Sequence, residues 1–466
     1  MAKHTPKPIV ALVGRPNVGK STLFNRLIGR RQAIVEDLPG TTRDRLYGDA
    51  EWAGRTFVVV DTGGIEPLKE RGGKVVSAAY DPLASASKGF VAEIRNQAEL
   101  AIEEADVIVF LVDVKEGLTA ADEEVAAMLR NTDKPVILAA NKADNQERRL
   151  NAMEFYALGL GDPHPISAYH GTGTGDLLDV IVAHLPPADA EEEEADEDVL
   201  RIAIVGRPNV GKSSILNALL GQERAIVSDI AGTTRDAVDT YLTWDDQEII
   251  LVDSAGIRRR GKIERGIERY SVMRALRAIG RSDVVLLVLD ATEGVTAQDA
   301  HIGGYILDEG RSLIIVINKW DAIEKDTHTM AEYNKRLREE LKFLDYVPVL
   351  YVSALTRQRI NQIIPAALRV KAQREMRIPT GELNRLLQDA VAANPPKTFK
   401  GRRARFYYVT QPSIDPPTFV FFVNDPRAVH FSYERYLENK LRERFPYEGT
   451  PIRLKFKGKD RREGKR

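Results

Sequence analysis

The chain reads GRPNVGKS at positions 14–21 and GRPNVGKS again at positions 206–213. A loop of the form GxxxxGK[ST] between a buried strand and a helix is a phosphate cradle. Its glycines let backbone N–H groups converge on an anion at the positive end of the helix, and its lysine reaches the same anion. One copy describes a common nucleotide-binding fold. Two identical copies ask whether the whole domain is duplicated.

The repeat extends well past the loop. GTTRD occurs at 40–44 and 232–236, and D-[TS]-x-G-I at 61–65 and 253–257, so both keep the 192-residue displacement of the loops. NKAD (141–144) matches NKWD (318–321) at a displacement of 177, and Ser-Ala pairs at 167–168 and 353–354 are displaced by 186. A fixed order of five blocks at this period is a duplicated domain, not a solenoid. The drop from 192 to 177 predicts about 15 extra residues in the first copy between Ile65 and Asn141, around 70–89 in a Gly/Ser/Ala-rich stretch.

Continuous aliphatic runs alternate with helical patterns, at 9–13, 57–60, 107–112 and 136–139, then at 202–205, 249–252, 284–289 and 313–317. Unbroken apolar runs indicate strands covered on both faces, hence a mainly parallel sheet with helices on each side. In such α/β sheets the ligand loops lie at the C-terminal ends of the strands, where every motif falls. Between the copies LPPADAEEEEADEDVLR (185–201) is nearly pure acid after a Pro-Pro stop and cannot bury a core. It reads as an extended linker with a reach of about 50 Å.

After about residue 370 the pattern changes. A helix opening at Thr380 and Glu382 and closing at Asn394, strands over 405–409 and 418–423, a helix over 433–445 and a strand over 451–456 predict a small α+β domain of order αββαβ. The predicted organisation is a first α/β domain at 1–184, an acidic linker at 185–200, a second α/β domain at 201–371, the α+β domain at 372–457 and a basic tail at 458–466. The 466-residue chain carries a net charge of −1, but residues 369–466 hold 23 Lys and Arg against 11 Asp and Glu. That asymmetry points to a polyanionic partner, nucleic acid above all. No cysteine is present, which excludes disulfides, Fe–S clusters and thiolate zinc sites and fits a reducing cytoplasm. No apolar run approaches a membrane span or a signal peptide.

The chemistry can be assigned residue by residue. Backbone groups of Gly14, Arg15, Pro16, Asn17, Val18 and Gly19, and of Gly206, Arg207, Pro208, Asn209, Val210 and Gly211, would surround the β-phosphate. Lys20 and Lys212 would contact β- and γ-phosphates, and Ser21 and Ser213 would offer a hydroxyl to Mg²⁺. Asp61 and Asp253 end the strand that follows and can hold the same ion. The rest of each box comprises Thr62, Gly63, Gly64 and Ile65 in one copy and Ser254, Ala255, Gly256 and Ile257 in the other, with the Gly64 and Gly256 N–H aimed at the γ-phosphate.

Asn141, Lys142, Ala143 and Asp144, with Asn318, Lys319, Trp320 and Asp321, decide the base. An ionised Asp accepts from guanine N1–H and N2–H₂ but would repel the acceptor at adenine N1. Asn141 and Asn318 would tie the loop together and touch the base. Ser167 with Ala168, and Ser353 with Ala354, would add a backbone contact. In GTTRD, Thr42 and Thr234 are the candidate Mg²⁺ ligands and γ-phosphate sensors, with Thr41 and Thr233 contributing backbone. The glutamine that orients water in Ras-like enzymes is replaced by Ile65 and Ile257, so unaided turnover should be slow.

Tandem GRPNVGKS–GTTRD–D[TS]xGI–NKxD domains, an acidic linker and a C-terminal α+β domain resemble the Der (EngA) family of bacterial GTPases over essentially the whole chain. The resemblance implies two P-loop GTPase domains, a KH-like C-terminal domain, GTP and GDP at both sites with Mg²⁺, and a role in maturing the large (50S) ribosomal subunit and its rRNA. It implies K⁺-stimulated hydrolysis as well, with Asn17 and Asn209 helping to hold K⁺ near the phosphates. The free protein is expected to be monomeric, cytoplasmic and without a membrane partner. Departing from KH modules, the C-terminal domain has no GxxG, so RNA would meet basic residues such as Lys397, Lys400, Arg402, Arg403 and Arg405, or the tail. The alternative is a GTP-regulated switch acting on a protein or membrane.

Overall fold

The computed structural model describes residues 7–29, 47–64, 70–71, 74–75, 95, 98–99, 101–187, 199–222, 224–227, 239–254, 272–324, 328–399 and 401–458. They form two compact units, one built on the first repeat and one holding the second repeat together with the C-terminal segment.

In the first repeat six strands line up in the order Tyr47–Trp52, Arg55–Asp61, Ile9–Gly14, Val107–Asp113, Val136–Asn141, His164–Pro165. All neighbours are parallel except the first two, which form a hairpin. Leu12, Val59 and Val109 point to one layer, where Leu23 and Phe24 of the P-loop helix and Leu177 of helix Thr174–His184 cover them. Their neighbours Ala11, Val58 and Ile108 are just as buried on the other side. Both parities are inside, as unbroken apolar runs require.

The second repeat keeps this order with one more strand: Ala225–Val227, Thr240–Trp244, Gln247–Val252, Leu200–Val205, Val284–Asp290, Ser312–Asn318, Val349–Tyr351. In both sheets the strand leading into the P-loop lies between the strand ending at the Asp box and the next parallel strand. The chain order reverses there, which opens a crevice above the sheet edge. That next strand starts at Val107 in one copy and Val284 in the other, already displaced by 177. The whole 15-residue excess of the first copy therefore lies between Asp61 and Val107.

The C-terminal segment folds as the expected αββαβ with one addition, a short hairpin of Thr398–Phe399 and Arg402–Arg403 between the first helix and the sheet. Strands Phe406–Ile414 and Pro417–Val423 make an antiparallel hairpin, and Arg453–Gly458 pairs parallel to the second of them. A parallel partner needs a crossover, which helix Phe431–Arg444 supplies. Leu383, Leu387, Phe419, Phe421, Leu437 and Tyr447 fill the space between helices and sheet.

This domain is anchored on the second GTPase repeat at the start of strand Ser312–Asn318, the strand whose far end carries NKWD. Leu313 N–H donates to Gly449 O at 2.7 Å, and Gly449 N–H donates to Tyr346 O at 3.0 Å. Gly449 has φ +67°, and a Cβ there would stand 2.7 Å from Leu313 O, so only glycine allows the approach. Arg374, almost wholly buried, donates to Gly310 O at 2.7 Å and pairs with Asp415. Arg442 lies over the Tyr346 ring at 3.5 Å. Among the described residues no helix is long and apolar enough to cross a membrane.

Candidate nucleotide sites

Each P-loop leaves its central strand and turns sharply into a helix, Lys20–Leu27 or Lys212–Leu220. The turn depends on backbone that side chains avoid: Asn17 and Asn209 have φ of 65° and 62°, and Gly19 and Gly211 have φ of 99° and 95°. Val18 and Val210 point down into the core, which leaves their carbonyls on the site side. Lys20 Nζ donates to Gly14 O at 2.6 Å and Arg15 O at 2.9 Å; Lys212 Nζ donates to Arg207 O at 2.6 Å. In the first copy Pro16, Asn17, Gly19, Lys20, Ser21 and Gly63 border an open cavity of about 390 Å³.

The base loop is joined to the P-loop by one side chain. Asn141 Nδ2 donates to Val18 O at 2.7 Å, and Asn141 Oδ1 accepts from Ala168 N–H at 2.9 Å. Asn318 repeats this with Val210 O at 2.9 Å and Ala354 N–H at 3.0 Å. The approach is so close that a Cβ on Gly19 or Gly211 would collide with the asparagine Nδ2. This explains the second glycine of each loop more directly than phosphate contact does. Asp144 is pre-oriented, since its Oδ1 accepts from Ser167 Oγ at 2.7 Å and its Oδ2 from Arg148 at 2.9 Å. Ser167 and Ser353 each sit in a one-rung bridge that closes the last loop.

Some of the residues proposed from the sequence face elsewhere. Ala143 and Trp320, between Lys and Asp of NKxD, are buried. Ala143 N–H bonds Ile166 O at 3.0 Å, while the Trp320 ring packs at 4.5 Å on Tyr351 and 5.3 Å on Tyr333. These two belong to the core beneath the loop. Lys142 and Lys319, at φ of 67° and 59°, turn back to pair with Asp113 and Asp290, each at 2.5 Å. Thr41, Thr42, Ile65, Thr233, Thr234, Ala255, Gly256 and Ile257 lie outside the described residues. Gly64 closes a short 3₁₀ turn, Thr62–Gly64.

The two Asp boxes differ. Ser21 Oγ donates to Asp61 Oδ2 at 2.7 Å, Gly63 N–H donates to Asp61 Oδ1 at 3.0 Å, and Thr62 Oγ1 donates to Leu12 O at 2.6 Å. Asp61 ends its strand in extended backbone, whereas Asp253 has φ of 53°. The Asp253 N–H donates to Asp239 Oδ1 at 2.8 Å, and Asp239 is held in turn by Arg281 at 2.8 Å. The positions matching Asp239 and Arg281 in the first copy are Tyr47 and Glu104, which cannot make that pair.

A further repeated block lies outside these motifs: DVKEGLTAAD at 113–122 and DATEGVTAQD at 290–299, again displaced by 177. Arg15 pairs with Asp122 at 2.8 Å and Glu116 at 2.9 Å; Arg207 pairs with Asp299 at 3.0 Å and Glu293 at 2.9 Å. Asp122 and Asp299 also complete capping boxes with Thr119 and Thr296. The block thus holds the phosphate loop through arginine and the base loop through lysine. Extending the search for repeats by one more segment would have found it.

Burial pushes the Asp299 carboxyl up, and Arg207 and Thr296 only partly offset that. Burial also acts to raise Asp290, but hydrogen bonds from Lys319 and Thr292 outweigh it and hold the group below the ordinary carboxylate range. Asp290 therefore contributes stability above its unfolded pKa, which is lost only as pH falls through the lower folded value.

With this geometry in place, comparison with known proteins is direct. The profile of the family described as "50S ribosome-binding GTPase" matches residues 9–142 and 201–319, one match per repeat. The profile "KH-domain-like of EngA bacterial GTPase enzymes, C-terminal" matches residues 377–457. The GTPase Der of Chloroflexus aggregans is 57% identical over 98% of this chain and 99% of its own length. The chain belongs to the Der (EngA) family of GTPases. The GTPase Der of Geobacillus kaustophilus is 54% identical over 96% of this chain and 98% of its own. A structure of Aquifex aeolicus Era bound to GDP.AlF4- aligns at 21% identity over 56% of this chain and 92% of that one, with a TM-score of 0.28, too low to add to the assignment. Like its Der relatives, the chain is a GTP-binding, GTP-hydrolysing switch protein with tandem G domains.

If the asparagine brace is local to each copy, Asn141→Ala weakens GDP binding at the first site by about 2 kcal/mol, roughly 30-fold, and leaves the second site unchanged. Asn318→Ala gives the mirror result. Titration with fluorescent GDP reads both sites, and a joint loss in either variant would show that the brace is not local.

Proposed function

We propose that this Der-family chain acts in maturation of the large (50S) ribosomal subunit in the cytoplasm, as a monomer that reads two guanine nucleotides. The observation that carries the reading is the coupling of form: two phosphate and base loops on one chain, with a basic domain anchored at the start of the strand whose far end carries the second base loop. The matching family's description as a 50S-binding GTPase supports it. The excess of 23 basic over 11 acidic residues in 369–466 suits ribosomal RNA as the surface it meets.

At each site the chain's own groups divide the work. Lys20 and Lys212 lie within the cradle to meet β- and γ-phosphate oxygens, and Asp144 and Asp321 select guanine. Ser21 Oγ and Asp61 Oδ2, 2.7 Å apart, are two hard oxygen donors converging at the mouth of the loop, a set that fits Mg²⁺. Ser213 and Asp253 are the matching pair, with Thr42 and Thr234 as third ligands. Mg²⁺, when bound, supplies charge neutralisation at the phosphate oxygens. Gly64 and Gly256 would present N–H groups to the γ-phosphate. With Ile65 and Ile257 in place of a water-orienting glutamine, the left-handed Asn17 and Asn209 are the groups we assign to a K⁺ beside the phosphates, where a fixed cation would offset developing charge.

Two measurements test this. Co-sedimentation with large-subunit particles should depend on a non-hydrolysable GTP analogue over GDP and fall in Lys20→Ala and Lys212→Ala; no association in any nucleotide state at moderate salt would remove the ribosomal reading. GTP turnover should be about tenfold or more faster in K⁺ than in Na⁺ at matched ionic strength, and Asn17→Ala with Asn209→Ala should abolish the difference. Equal rates in the two salts would remove K⁺.

A further inference from the structure

The C-terminal sheet has two faces of different chemistry. One packs Val409, Phe419 and Phe421 against the two helices. On the other, strand register places Tyr408, Phe422 and Lys457 in one row and Thr410, Val420 and Lys455 in the next. The Tyr408 and Phe422 rings stack with centroids 4.1 Å apart and planes 13° from parallel, and Tyr408 is still 43% exposed. Lys455 and Lys457 are exposed. Neither has a hydrogen-bond or ion-pair partner among the described residues. Arginines singled out from the sequence are engaged instead: Arg402 pairs with Asp425, and Arg403 Nε donates to Pro396 O at 3.1 Å.

Val420 on the same face is buried and Phe422 half-buried, while the Tyr408 ring stays open to solvent. Flat π-faces with two lysines on the strand next to Phe422, about 4.8 Å across the sheet, and two strands from Tyr408, neither lysine paired among the described residues, match a base stacked on a ring with its phosphates on the lysines. A protein partner suits the patch less well, because lysine is depleted at protein interfaces. We propose that this face, opposite the helices and without a GxxG loop, binds single-stranded RNA, Tyr408 stacking a base and Lys455 and Lys457 holding phosphates. The proposal rests on the ribosomal-RNA reading above and names the surface through which that RNA is gripped.

The test uses the full chain and a short fluorescent oligouridylate. Tyr408→Ala should weaken binding about 10-fold while Tyr408→Phe, which keeps the ring and the fold, does not. Lys455→Ala with Lys457→Ala should flatten the slope of log K against log salt by about 1.4, as two single-strand phosphates require. Unchanged oligouridylate binding in Tyr408→Ala and in the Lys455→Ala, Lys457→Ala double variant overturns the proposal. If Tyr408→Ala or the double lysine variant loses large-subunit particles but not the oligonucleotide, the face docks protein and the proposal is likewise overturned, with the ribosomal reading intact. Oligonucleotide binding that follows the variants, in a chain that ignores ribosomal particles, would keep the surface and remove the ribosomal reading.

Discussion

One carboxamide holds each nucleotide site together. Asn141 and Asn318 donate to a P-loop carbonyl and accept from the alanine N–H of the last loop, so three segments far apart in sequence are fixed by two hydrogen bonds. Buried amides bonded on both ends resist displacement, because breaking either bond leaves a desolvated polar group without a partner. The glycine at 19 or 211 follows from this contact. The NKxD motif is usually read for its aspartate; its asparagine is what joins the base loop to the phosphate loop.

A second layer supports the first. The DxxEGxTAxD block grips the phosphate loop through Arg15 or Arg207 and the base loop through Lys142 or Lys319, and its own aspartate caps the helix behind it. Each copy is therefore a closed circuit of local contacts on the C-terminal edge of one sheet. The C-terminal domain is tied to the second circuit, through the strand that leads to Asn318. The base loop and the docked domain thus sit at the two ends of one strand, Ser312–Asn318.

The fold was legible because its strands are continuous apolar runs buried on both faces, and the helices of the last domain because prolines close them, Pro395 after one and Pro446 after the other. Phosphate, base and Asp boxes were legible for a related reason: backbone geometry around an anion permits few residue types. What could not be read was direction within a motif. Trp320 occupies a variable position and packs under the loop, a matter of tertiary space that the tetrapeptide does not encode. The unequal Asp boxes were hidden for the same reason. Asp61 and Asp253 carry the same motif, but the backbone of the second is held by Asp239 and Arg281, which lie outside any motif.

The central claim is that the chain carries two self-sufficient guanine sites, each built and selected by its own Asn–Asp loop. Calorimetric titration of the full, unaltered chain with GDP, and separately with ADP, tests it most directly. Two GDP bound per chain with no uptake of ADP is the predicted result. A single GDP per chain, or ADP taken up alongside it, would contradict the account.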